Sequence, residues 1–217
     1  MSEELIIDTR QNLIRETGTP TCRDPYDHLG PEEWVQKQID YGQIEDHISG
    51  RGLVPYLQEL DGELVGCEIG VCHGFTTEYF LKNVPTIEKI YAIDHYPSFV
   101  DWDGTRLTEE RQEETKRRCA ERLSIYGGVE LIYDTSTNFV SNLEDESLDF
   151  LFIDGDHSFE ATLADIQNYW PKVKKGGLFA GHDINLGTVD QAVKEFFRNI
   201  PDVEIRVVEN NAWFLIK

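Results

Sequence analysis

From residue 63 onward, short apolar runs alternate with longer stretches whose apolar residues recur every three or four positions. ELVGCEIGV (63–71), KIYAID (89–94), VELIYD (129–134), LDFLFID (148–154) and GGLFAGHDI (176–184) have the length and residue types of buried strands. TTEYFLKNV, TEERQEETKRRCAERLSIYG and FEATLADIQNYW read as helices; the last places Leu163, Ile166 and Trp170 on one face, and Gly127-Gly128 is a stop signal for the second. Five strands alternating with helices predict a parallel, doubly wound sheet. The chain then changes rhythm: after the helix TVDQAVKEFFRNI, VEIRVVEN and NAWFLIK meet at Asn210-Asn211 with no helix between them. That reads as a hairpin and predicts an antiparallel close to the sheet.

Upstream, PEEWVQKQIDYGQ has Pro31 at a plausible first helical position, and LVPYLQEL precedes Asp61-Gly62 as a short amphipathic segment. The expected organisation is therefore a helical extension over residues 1–60, serving as a lid, and one α/β domain over 61–217. No repeat or low-complexity tract interrupts it.

Composition narrows the function. With 41 acidic and 20 basic residues the net charge is −21, which repels nucleic acid and anionic membranes and suits a neutral, cationic or metal-bridged small molecule. A saline habitat explains such acidity equally well. No apolar run approaches a membrane span, and MSEELIIDTR is acidic where a signal peptide is basic, so a soluble, cytoplasmic protein is expected. The four cysteines are expected as reduced thiols. Cys67, Cys72 and His73 lack the second ligand pair that a zinc site needs.

Open α/β sheets bind ligands at the carboxyl ends of their strands. After the first strand stands Glu68-Ile69-Gly70-Val71-Cys72-His73-Gly74, in which Gly70 permits a tight turn and Gly74 close approach. Asp94, 20 residues beyond Gly74, ends the second strand where a ribose hydroxyl would be bound. The glycine spacing is wider than in the dinucleotide pattern, and Glu68 would repel a pyrophosphate but attract a cation. Ribose, adenine and a cationic amino acid together describe S-adenosylmethionine.

These residues resemble the class I S-adenosylmethionine-dependent methyltransferases, and within them methyltransferase family 24, the macrocin-type O-methyltransferases. The resemblance runs over about residues 50–200 and is carried by CEIGVCHGFTT, IYAIDHY, LDFLFIDGDHSFEATLADIQNYWPKVKKGGLFAGHD and GTVDQAVKEF. It implies a Rossmann-like, seven-stranded sheet with a reversed last strand. It further implies that Glu68 and the Gly70–Gly74 backbone hold the methionine part, that Thr76 lies beside it, and that Asp94 takes the ribose. Thr135 and Ser136 fall at the adenine positions; relatives often carry an acidic residue at the first, whereas here Asp134 stands one place earlier.

LFIDGDHSF and GHD end the fourth and fifth strands, so Asp154, His182 and Asp183 are expected to converge as ligands for Mg²⁺, Mn²⁺ or another divalent ion. Similar enzymes hold a metal with acidic and amide groups here, and His182 departs from that set. A bound metal lowers the pKa of an acceptor hydroxyl, and His157 on the following turn is the candidate base, with Asp154 completing the catalytic pair. Each imidazole also has a structural alternative: His157 as a satisfied structural histidine, and His182 orienting Asp183. Asp156 is expected to cap the next helix or bond its turn.

Tyr96, Phe99 and Trp102 form either a wall for the acceptor or packing beneath the long charged helix, and Tyr26, His28 and Trp34 are candidates for the lid. The expected activity is metal-assisted O-methylation of a hydroxyl on a small molecule or sugar, by a protein that can form a homo-oligomer through its edge strands. A non-catalytic nucleoside-binding module, or transfer of another group such as aminopropyl, are the competing expectations.

Overall fold

Strand β1 (Leu64–Ile69) lies at the middle of the sheet, between β2 (Ile87–Ile93) and β6 (Leu148–Ile153), parallel to both. The computed structural model describes residues 28–42, 47–100, 105–201 and 203–217. Outward from β1, β5 (Val129–Ile132) adds to β2 and β7 (Val173–Gly181) to β6, again in parallel. On the far side β9 (Trp213–Ile216) pairs antiparallel with β7, and β8 (Arg206–Val207) antiparallel with β9. The seven-stranded order is β5-β2-β1-β6-β7-β9-β8, as the alternation of apolar runs and the closing hairpin predict.

Period-two alternation divides each central strand between two cores. Leu151 and Ile153 of β6 and Cys67 and Ile69 of β1 face one layer, built with α6 (Phe159–Tyr169) and α7 (Gly187–Phe197). Phe150 and Phe152 face the other, with Phe80 of α3 (Phe75–Asn83) edge-on to both rings. Leu53 and Leu57, just before the start and at the end of the short α2 (Val54–Leu57), are fully buried in this second layer. Glu68 shares the alternation of Gly66 and so points into the α3 layer, where it is buried.

The long charged helix is α4 (Glu109–Leu123), capped by Thr108, whose hydroxyl accepts from Arg111 N–H; it ends before Gly127-Gly128. Its apolar side receives α1 (Pro31–Gly42) through Trp34, Val35 and Ile39, which pack with Phe75 and Leu107. Trp34, a lid candidate, is thus a buried packing residue, its ring under the Arg111 guanidinium at 5.1 Å. His28 is exposed, and Tyr26 and Trp102 lie outside the described residues.

Two departures from the sequence pattern have physical reasons. VEIRVVEN contracts to the two residues of β8, an exposed edge, because Asn210 and Asn211 adopt φ of 62° and 59° to turn the chain into β9. Within 95–107, β3 (Phe99–Val100) and β4 (Arg106–Leu107) form a small antiparallel pair, too short for the apolar pattern to predict. Arg111 donates to the Arg106 carbonyl and Gln112 to the Pro97 carbonyl, so α4 anchors it. Phe99 is half exposed, whereas Tyr96 is buried.

Candidate active site at the carboxyl edge

The site residues are aligned by a staircase of backbone hydrogen bonds that carries the sheet one step past its strands. His182 N–H donates to Ile153 C=O, Asp154 N–H to Ile69 C=O, Gly70 N–H to Ile93 C=O and Asp94 N–H to Ile132 C=O, all at 2.8 to 3.0 Å. The first residue beyond each strand is thereby fixed in register with its neighbour. The ends of β7, β6, β1, β2 and β5 cannot slide relative to one another without breaking this row.

At Gly70 the chain takes φ +89°, and a Cβ there would stand 2.1 Å from the Asp154 carbonyl oxygen, so only glycine fits. Gly74, at φ +77°, opens α3. Between them Cys72 is left-handed at φ 48°, as is Tyr96 at φ 49°. Asp94 holds both: one carboxylate oxygen accepts from Cys72 N–H at 2.9 Å and the other from Tyr96 N–H at 2.7 Å, while the Tyr96 hydroxyl donates to the Cys72 carbonyl at 2.8 Å. Those bonds offset a strain of roughly 1–2 kcal/mol per residue.

Burial pushes the Glu68 carboxyl up to about 8, against a hydrogen bond from the Thr77 hydroxyl, and the nearby Asp154 and Asp94 charges add to the rise. Burial also raises Asp94, against its two backbone donors. These carboxyls therefore favour a cationic or hydrogen-bond-donating ligand. Thr77 was missed by sequence reasoning; the signal was available, because the strand alternation aims Glu68 at the first turn of α3. Thr76, the residue expected beside the cofactor, is buried in that turn.

On the other half, Asp154, His182 and Asp183 each offer a ligand atom, and the three atoms lie within 4.8 Å of one another. His182 Nδ1 is 3.1 Å from Asp183 Oδ2 and 3.6 Å from Asp154 Oδ1. His157 reaches the same carboxylates, with Nε2 2.9 Å from Asp183 Oδ2 and 3.7 Å from Asp154 Oδ1. The short approach lies off the hydrogen-bond direction, and Nε2 of both His157 and His182 is buried without a hydrogen-bond partner. Asp183 adopts a left-handed φ of 55°.

Burial alone would lower the His157 imidazole, but Asp154 and Asp183 outweigh it and push it up to about 10. The same balance raises His182, and against its own burial the two imidazoles hold Asp183 well below the usual carboxylate range. As it stands, the cluster stores positive charge on His157.

The remaining expected positions have local duties. Thr135 caps α5 (Ser136–Phe139) by accepting from Asn138 N–H, and Asp134 bonds Thr135 N–H and the Asn138 amide. The Ser136 hydroxyl donates to the buried Asp165 of α6. Ser158, not Asp156, caps α6; Asp156 bonds the turn through Ser158 N–H. Cys67, Cys72 and Cys119 are free thiols. An open cleft of about 770 Å³ between the starts of α1 and α4 is lined by Glu32, Glu33, Glu110 and Glu113. Glu114 and Arg117 complete its charged lining.

The chain is similar in structure to a Corynebacterium glutamicum protein (14% identity, 96% of this chain and 94% of that one, TM-score 0.57). It is also similar to the O-methyltransferase NovP (17%, 84% and 79%, TM-score 0.55) and to a SAM-dependent methyltransferase from Aquifex aeolicus (17%, 86% and 97%, TM-score 0.52). No curated protein matches it in sequence. Among the described residues no helix is long and apolar enough to cross a membrane. The sequence profile of the methyltransferase-domain family 24 matches residues 67–184, from the glycine loop through the GHD cluster, and the chain, with the sheet of the S-adenosylmethionine-dependent methyltransferases, belongs to that family.

Proposed function

We propose that the protein is an S-adenosylmethionine-dependent O-methyltransferase, assisted by a divalent metal, acting on a hydroxyl of a small molecule or sugar. The observation that carries the reading is the convergence of Asp154, His157, His182 and Asp183 beside a glycine loop lined with buried carboxyls. The buried Nε2 of His157, which faces both carboxylates off the hydrogen-bond direction, and the left-handed Asp183 fit a cluster built around a cation.

S-adenosylmethionine supplies a methyl group already activated by its sulfonium, so the protein's task is positioning and deprotonation. Glu68 and the Gly70–Gly74 backbone would receive its cationic methionine end, and Asp94, anchored by two backbone N–H groups, would keep lone pairs for the ribose hydroxyls. Asp154, His182 and Asp183 would hold the divalent ion, which supplies Lewis acidity toward an acceptor hydroxyl. The imidazole in this ligand set favours Mn²⁺, Fe²⁺ or Zn²⁺ alongside Mg²⁺.

His157 carries its proton while both carboxylates face it bare. With Asp154 and Asp183 occupied as ligands that pull would weaken, and the His157 ring would serve as base for the acceptor proton. The surface, with net charge −21, favours a neutral or cationic acceptor over nucleic acid, and free thiols suit a reducing cytoplasm.

Calorimetric titration tests the cofactor: S-adenosylhomocysteine is expected to bind, and no heat at millimolar ligand contradicts the reading. Chelation tests the metal: methyl transfer to an acceptor stops on adding chelator and returns with Mn²⁺, whereas full activity in chelator removes the metal from the account.

A further inference from the structure

The buried carboxyl of Asp165 has no role in the chemistry above, and a buried carboxyl needs a reason. It is 5% exposed, on the face of α6 turned toward the carboxyl edge. Its Oδ1 accepts from the Ser136 hydroxyl at 2.5 Å; its Oδ2 lies 4.0 Å from where a Cβ on Gly155 would stand. One turn later on the same helix, the Tyr169 hydroxyl donates to the Ser136 carbonyl at 2.9 Å. Helix α6 thus grips Ser136 by both its side chain and its backbone. Ser136 itself is only partly buried and follows β5, whose last carbonyl bonds Asp94 N–H.

A serine hydroxyl has one proton and two lone pairs. Asp165 takes that proton, because an ionised carboxylate can only accept. Burial does push the Asp165 carboxyl up, to about 6, yet it remains ionised at the pH of an alkaline assay. What Ser136 can show to a ligand is then an acceptor alone. At the purine end of an adenosyl cofactor, an acceptor matches the 6-amino group and opposes a 6-oxo group.

We propose that Asp165 is a positioning residue that commits the Ser136 proton and so makes Ser136 select an aminopurine over a 6-oxopurine cofactor. The inference rests on the proposed adenosyl cofactor, with Ser136 at its purine end, and deepens it by naming what reads the base.

The test is calorimetry at pH 8 with two ligands, S-adenosylhomocysteine and its deaminated analogue S-inosylhomocysteine. The unaltered protein is expected to prefer the adenosyl ligand by about tenfold or more, the size of one hydrogen bond exchanged for two opposed acceptors. Asp165→Ala frees the hydroxyl to turn and donate, so the ratio falls toward one, chiefly by tighter binding of the inosyl ligand. Ser136→Ala, an independent second variant, collapses the ratio by weakening the adenosyl ligand alone. Equal loss for both ligands in Asp165→Ala, or an unchanged ratio in Ser136→Ala, overturns the assignment. Equal affinity in the unaltered protein does so as well, while failure of S-adenosylhomocysteine to bind it at all removes the cofactor reading beneath.

Discussion

Asp94 and Asp183 occupy corresponding places, each just past the end of a parallel strand, yet their surroundings push them in opposite directions. Asp94 has two backbone N–H donors and a burial penalty that raises its pKa; Asp183 has two imidazoles that, against burial, lower it. The β1–β2 half, with Glu68 raised to about 8 as well, holds carboxyls in want of positive charge or donors. The β6–β7 half has already gathered positive charge, on His157, and its carboxylates raise His182 as well. One edge of one sheet therefore presents two different sites. The first suits a cationic cofactor; the second suits a metal that displaces protons as it binds.

Breaking the imidazole half should have the largest effect. Asp183→Ala removes the carboxylate that both histidines approach and should weaken Mn²⁺ binding about 100-fold or more by calorimetry, with S-adenosylhomocysteine affinity nearly unchanged. Loss of both affinities together would show that the halves are not separate. The joint between them is Gly70, and Gly70→Ala should lower stability by about 2 kcal/mol in denaturant unfolding, because both φ +89° and the 2.1 Å clash with the Asp154 carbonyl oppose it.

In the other half, Asp94→Ala should weaken S-adenosylhomocysteine about tenfold while sparing Mn²⁺. The effect of Glu68 is read as a pH dependence. Glu68 has a folded pKa of about 8 against an ordinary 4.5, so the folded state binds the extra proton. The ligand-free protein should therefore lose stability as pH rises from about 4.5 to about 8. Glu68→Gln should flatten that decline in thermal unfolding, and an unchanged slope would place the cause elsewhere.

Much of the fold could be read from residue order because the central strands are buried on both faces, and Leu148–Ile153 and Leu64–Ile69 admit little else. The strand-end chemistry was equally legible, since Asp94, Asp154, His182 and Asp183 interrupt apolar runs where solvent begins. What could not be read depends on partners distant in sequence. Ser136 and Thr135 look like free hydroxyls until α6 and the α5 turn are in place. Phe99–Leu107 carries the turn dipeptide Asp103-Gly104, but its two-residue strands are too short to show an alternation, and α4 holds the pair from outside through Arg111 and Gln112. Thr77 and Asp165 lie on the buried faces of their helices, beside Phe80 and Ile166, and a polar residue in such a position was the signal that went unused.

The central claim is that Asp154, His182 and Asp183 form a metal site next to a cofactor site. Electron paramagnetic resonance during titration of Mn²⁺ into the unaltered protein tests it directly. The account predicts that the signal of free aqueous Mn²⁺ stays suppressed until one ion per chain is bound, with nitrogen coupling from His182, and that suppression is lost in Asp183→Ala. A free-ion signal that grows from the first addition would contradict it.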